Sequence, residues 1–149
     1  AIFIPIFLLL GVLAVQTRYK IVFQTDYSVN FTSGYMDHKD KTPVKDEYLG
    51  FIFKAAQNDK YGMRFVKRVA CVSGEQLTHS GRDFYCNGEF LARAKAWDKK
   101  GNPATLFDFN GIIPREKYFA LGEHEDSYDS RYWGFVDYSW ILGQVHRIF

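Results

Sequence analysis

Residues 1–15 carry no charge and read as one apolar run, Ala-Ile-Phe-Ile-Pro-Ile-Phe-Leu-Leu-Leu-Gly-Val-Leu-Ala-Val. Charges recur throughout the rest of the chain, so this run is a separate unit. A full bilayer span needs about 20 apolar residues, and the run falls slightly short of that. The chain starts at Ala1 rather than Met, and a preceding segment would supply the remainder. Ala14-Val15-Gln16 makes a poor leader-cleavage site because Val15 is bulky. The expectation is a transmembrane or interfacial anchor helix over 1–17, with a buried core helix as the alternative. Arg18-Tyr19-Lys20 would form its interfacial collar.

Beyond the anchor, no segment sustains a helical apolar stripe over three turns. Short alternating or apolar runs separated by turns predict strands instead. These are Tyr19 to Phe23, Tyr48 to Lys54, Arg64 to Val72, Gln76 to Thr78, Asp83 to Cys86, Glu89 to Ala94, Tyr118 to Leu121, Tyr132 to Val136 and Ile141 to Ile148. Asn87-Gly88 is the strongest hairpin signal. Residues 26–45 are polar and broken by Gly34 and Pro43, which predicts a loop with short extended pieces. In the run from Arg64, alternation places Phe65, Lys67, Val69 and Cys71 on one face. The whole reads as a mainly β domain, a sandwich or irregular barrel, over residues 18–149.

Composition narrows the function. Aromatic residues make up 18% of the 149-residue chain, which suits strands. A net charge of +2 without a basic block excludes a strong nucleic-acid field. Cys71 and Cys86 suggest one disulfide in an extracytoplasmic domain, with two separate buried thiols as the alternative. The four histidines and two cysteines show no close ligand pairs, so no metal is expected.

Two segments stand out chemically. Lys67 lies among apolar neighbours on its strand face. Desolvation disfavours a lysine's charged form and makes the amine a usable general base. The plainer reading is a surface lysine snorkelling from an edge strand. The second segment, Gly122 to Gly134, is dense in polar groups between apolar strands. Asp129 and Arg131 are close enough to pair. A calcium loop fits less well, since the alternate-position acids and central Gly are missing.

Together these segments carry a resemblance. The order Lys67-Arg68-Val69, Ser73-Gly74-Glu75, Tyr85-Cys86-Asn87-Gly88 resembles the "KRV…PGD…VNG" order of type I signal peptidases. Leu121-Gly122-Glu123-His124-Glu125-Asp126-Ser127-Tyr128-Asp129-Ser130-Arg131-Tyr132-Trp133-Gly134 resembles the family's "GDNxxxSxDSRYWG" box. Ile141-Leu142-Gly143-Gln144 matches its "IxGxx" ending. The branch that looks most similar is the conjugative-transfer signal peptidases, which mature pilin precursors.

The resemblance implies a membrane-bound serine endopeptidase with a Ser–Lys dyad that needs no cofactor. Lys67 would be the general base, Ser127 would orient it, and Asp129 and Arg131 would form a supporting ion pair. The partners implied are an exported precursor, such as pilin, and membrane lipid, with no nucleic acid. The implied location is the bacterial inner membrane, with the catalytic domain on the periplasmic side. The departure lies at the nucleophile. In the pilin-processing branch "Asn-x-Thr-x-Ser-x-Pro-x-Gly" follows the anchor, whereas this chain has Asn30-Phe31-Thr32-Ser33-Gly34 and no Ser-x-Pro. Ser33 is the first candidate and Ser28 the substitute. The alternative is an inactive relative that serves as an assembly factor of a conjugation or secretion apparatus.

Overall fold

The computed structural model describes residues 3–23, 28–56 and 58–149, with side chains from Ile6 onward. An N-terminal helix, α1 (Phe3–Arg18), runs into β1 (Tyr19–Phe23), followed by β2 (Ser33–Asp37), β3 (Tyr48–Ile52) and β4 (Arg64–Cys71). Then come β5 (Gln76–Ser80), β6 (Asp83–Cys86), β7 (Glu89–Arg93), β8 (Gly111–Ile112) and β9 (Lys117–Leu121). A one-turn helix α2 (Ser130–Trp133), β10 (Val136–Asp137), a 3-10 turn (Tyr138–Trp140) and β11 (Ile141–Arg147) complete the chain.

The strands form two antiparallel sheets. The larger has the order β1-β2-β11-β3-β4-β9-β10 and the smaller β7-β6-β5-β8. Between them lies a core of Ala70, Cys71, Leu77, Phe84, Cys86, Ile113, Phe119 and Leu121. A second cluster, Leu49, Phe51, Phe53, Val69, Ala120, Val136 and Ile141, packs on the larger sheet with Trp133 and Trp140. The Asn87-Gly88 turn has φ of 51° and 80°, the doubly positive pair that matches the right-handed twist of a hairpin.

Register slips at the end of β4, where Val69 faces Ala120 but Cys71 faces Phe119. Two β4 residues thus oppose one step of β9, and such a bulge reverses face parity beyond it. Cys71 therefore joins Ala70 in the inter-sheet core rather than Phe65 and Val69, correcting the simple alternation. It is bonded there to Cys86 and so ties β4 to β6.

One of the short extended pieces expected within 26–45, of which 26–27 lie outside the described residues, is β2, paired on both sides by β1 and β11. The strand expected over Tyr132 to Val136 is instead α2 followed by two strand residues. Asp129 caps α2 by accepting from the Arg131 N–H, and Gly134 ends it at φ 93°.

α1 has 16 residues, about 24 Å at 1.5 Å per residue, against a hydrocarbon core of about 30 Å. Among the described residues no helix is long and apolar enough to cross a membrane, so the expected span is not reached within them. The helix is nonetheless uncovered on every side, with Phe7 at 72%, Leu8 at 70% and Val15 at 57% exposure. Its end is fixed to the sheet. Arg18 Nη2 lies 2.6 Å from Asp37 Oδ2, and the Arg18 carbonyl accepts from the His38 N–H at 3.0 Å.

Candidate active site

Lys67 sits mid-strand in β4, opposite Leu49, and is only 4% exposed. Its stem shares a face with Phe65, and Nζ lies 5.5 Å from that ring's centre. The amine donates to Ser127 Oγ at 2.9 Å, inside the protein. The central strand position supplies the burial, because both neighbours of β4 are themselves covered.

Ser127 comes from the loop between β9 and α2. That loop is held by a closed set of bonds. Arg131 Nε and Nη2 each donate to Asp129, at 2.8 Å, in a forked pair whose side chains are 4% and 0% exposed. Arg131 Nη2 also donates to the Ser127 carbonyl at 3.2 Å, and Nη1 to the Arg93 carbonyl at 2.7 Å. Asp129 Oδ2 accepts from the Gly122 N–H at 3.0 Å. Burial works against the Arg131 charge, but the bonds to Asp129 prevail and its pKa stays raised. The ion pair thus joins both ends of the loop to each other and to β7, and holds the Ser127 backbone through its carbonyl.

Gly122 has a steric role. A Cβ there would lie 1.7 Å from Ser127 Oγ and 3.1 Å from the Ser28 carbonyl oxygen. Only a residue without a side chain lets these three meet.

Lys67, Ser127 and Ser28 line one cavity of about 900 Å³. Ser28 is 8% exposed, and its carbonyl accepts from the Glu123 N–H at 2.7 Å. Phe65, Tyr128 and Tyr132 give the cavity apolar walls, while Trp97 and Met63 stand at 61% and 50% exposure.

Ser33 is elsewhere. Lys67 faces Leu49, Leu49 faces Gln144, and Gln144 faces Asp37. Those three strand steps amount to roughly 14 Å, and Ser33 lies four residues farther along β2. Its backbone is bonded to that of Ile148 and Phe149. Strand pairing has drawn residue 33 into the sheet, so the structure does not bring the first-choice serine to Lys67. It brings the substitute, Ser28, to the same cavity.

Sequence reasoning passed over Glu123 and Tyr48. The Tyr48 hydroxyl donates to Glu123 Oε1 at 2.8 Å, and the Asn30 N–H donates to Glu123 Oε2. Desolvation, followed by the bond to Glu123, pushes the Tyr48 phenol up to about 12. Glu123 lay within the polar box, whereas Tyr48 looked like one more strand aromatic. Among the described residues the one grouping of metal-ligand type is Cys71, Glu75 and Cys86. Its sulfurs are joined to each other, so it offers no thiolate.

Comparison with known proteins gives the family of the chain. The family described as Signal peptidase, peptidase S26 matches residues 12–149. A signal peptidase I of Buchnera aphidicola (from Schizaphis graminum) is 42% identical over 53 residues, covering 35% of this chain and 16% of that protein. A probable signal peptidase I-2 of Synechocystis is 32% identical over 84 residues, 54% of this chain and 36% of that one. Signal peptidase IB of Staphylococcus aureus is 29% identical over 109 residues, 63% of this chain and 55% of that one. The chain therefore matches from about a sixth to about half the length of these relatives. A signal peptidase I crystal structure from Enterococcus faecalis superposes with a TM-score of 0.48 at 26% identity, covering 72% of this chain and 99% of that one. Since the family match takes in all but the first eleven residues, the chain belongs to the signal peptidase, peptidase S26, family.

Proposed function

We propose that this protein is a membrane-bound serine endopeptidase that cleaves exported precursors, conjugative pilin among them, with a Ser–Lys dyad of Ser28 and Lys67. The observation that carries this reading is the buried amine of Lys67, held by Ser127 at 2.9 Å in the cavity that Ser28 also lines. Ser28 replaces Ser33 in this role because Ser33 lies three strands away.

The reaction runs in two halves. Ser28 Oγ bonds to the scissile carbonyl carbon while its proton passes to the uncharged Lys67 amine. The tetrahedral adduct then breaks its C–N bond, and the leaving amine takes the proton from Lys67. Water attacks the resulting ester, again giving its proton to Lys67, and the second adduct breaks its C–Oγ bond as Ser28 Oγ takes that proton back from the Lys67 ammonium. The products are a carboxylic acid and free Ser28. Ser127 fixes the amine's direction, and Asp129 with Arg131 fixes Ser127. The apolar surface of α1 would keep the domain on the extracytoplasmic face of the bacterial inner membrane, beside the emerging precursor.

The test is cleavage of a precursor peptide carrying alanines before the scissile bond by the full chain. Wild type is expected to cut, and Lys67→Ala and Ser28→Ala to leave the peptide whole. The missing Ser-x-Pro motif favours one second reading, an inactive assembly factor that holds precursors without cutting. Full-rate cleavage by Ser28→Ala would remove that serine from the mechanism.

A further inference from the structure

We infer that Glu123, braced by Tyr48, is the positioning residue that holds the Ser28 segment against Lys67. This rests on the reading of Ser28 as nucleophile. The stretch that carries Ser28, from Ser28 to Thr32, belongs to no strand. A nucleophile on such a stretch needs its backbone fixed from outside, since misplacement of about 1 Å can lower a rate about 100-fold.

Glu123 provides the fixing at two points. Its N–H donates to the Ser28 carbonyl at 2.7 Å. Its carboxylate accepts from the Asn30 N–H through Oε2. One residue thereby grips the backbone on both sides of Val29. Gly122, next in line, lets the Ser28 carbonyl come close, because a Cβ would lie 3.1 Å from that oxygen.

The carboxylate is itself held. Its side chain is 15% exposed, and Oε1 accepts from the Tyr48 hydroxyl at 2.8 Å. Arg68 Nε stands 3.9 Å from the same oxygen. The phenol, pushed up to about 12, remains a donor across the working range of pH. The Tyr48 ring meets Phe31 edge to face at 5.0 Å, so the same side chain also packs on the far end of the Ser28 segment. Tyr48 stands on β3, opposite Arg68 of β4. The clamp thus refers the nucleophile to the same strand pair that carries Lys67.

Steady-state cleavage of the alanine-bearing precursor peptide by the full 149-residue chain tests this, with thermal melts in parallel. Glu123→Ala is expected to lower kcat about 100-fold with KM little changed. Glu123→Gln, which keeps an acceptor oxygen for Asn30, recovers most of that loss. Tyr48→Phe, which keeps the ring on Phe31, gives a smaller fall in kcat. Should Glu123→Ala not fold, the other two variants give the measurement. Unchanged kcat in the folded variants overturns the inference. So does a loss that tracks melting temperature and is not recovered by Gln. If Ser28→Ala still cleaves, the underlying reading fails instead. If Ser28→Ala is inactive while Glu123→Ala keeps wild-type kcat, only the clamp is lost.

Discussion

At the residue scale, the site rests on burying an amine and an ion pair in one small region. Removing one partner of a buried, hydrogen-bonded ion pair leaves the other charge uncompensated and costs about 3–5 kcal/mol. Asp129→Ala should therefore destabilise the fold by that amount in urea titrations, since Arg131 would remain 3% exposed with its charge uncompensated and only the two carbonyls as acceptors. A loss under 1 kcal/mol would mean that Arg131 finds other acceptors. Arg131→Lys should also lose ground, because an ammonium cannot reproduce the forked bonds to Asp129 and the two carbonyls. Most of this chemistry was legible in the sequence. Lys67, Ser127, Asp129 and Arg131 stand in recognisable order, and the structure brings them together. The serine proposed as nucleophile was less legible, because the Ser-x-Pro motif is missing and the match of Asn30 and Thr32 to the family pattern pointed to Ser33. Only the pairing of β2 with β11 shows that residue 33 is committed to the sheet.

Elements are joined by contacts that respond to pH and to reduction. The Arg18 hydrogen bonds hold the Asp37 carboxyl at about 2, below its ordinary 3.8. A carboxylate with a depressed pKa adds stability that is present above pH 3.8 and is lost as pH falls through about 2. Asp137, held at about 2 chiefly by the Lys117 bond, acts in the same direction at the β9–β10 edge. The urea midpoint should thus decline as pH drops from about 4 to 2, and Asp37→Asn should flatten part of that decline. An Asp37→Asn profile that overlays wild type would show that the α1–β2 tie is inert. The disulfide closes a separation of 15 residues, for which chain entropy gives about 3 kcal/mol. Replacing both cysteines by Ala should cost about that much, read from the same titrations. Strands with clear alternation and marked turns, such as β4 to β7, were legible in the sequence. β2 was legible only as a short extended piece, and α2 was not legible, because it is made by the Asp129 cap and not by an apolar stripe.

On the scale of the whole molecule, the polar site and the exposed apolar helix lie on one continuous chain. α1 and the exposed Ile21 and Phe23 of β1 present an apolar surface that water does not favour. The full chain should float with phospholipid vesicles on a density gradient, and deletion of residues 1–17 should leave most of it in the aqueous fraction. Recovery of the full chain in the aqueous fraction would contradict the anchoring role. The proposed dyad pairs Lys67 with Ser28. The most direct measurement compares precursor-peptide cleavage by Ser28→Ala and Ser33→Ala side by side, both confirmed folded by melting. Ser33→Ala is expected to cut at close to the wild-type rate and Ser28→Ala not to cut. The reverse pattern would contradict the proposed dyad.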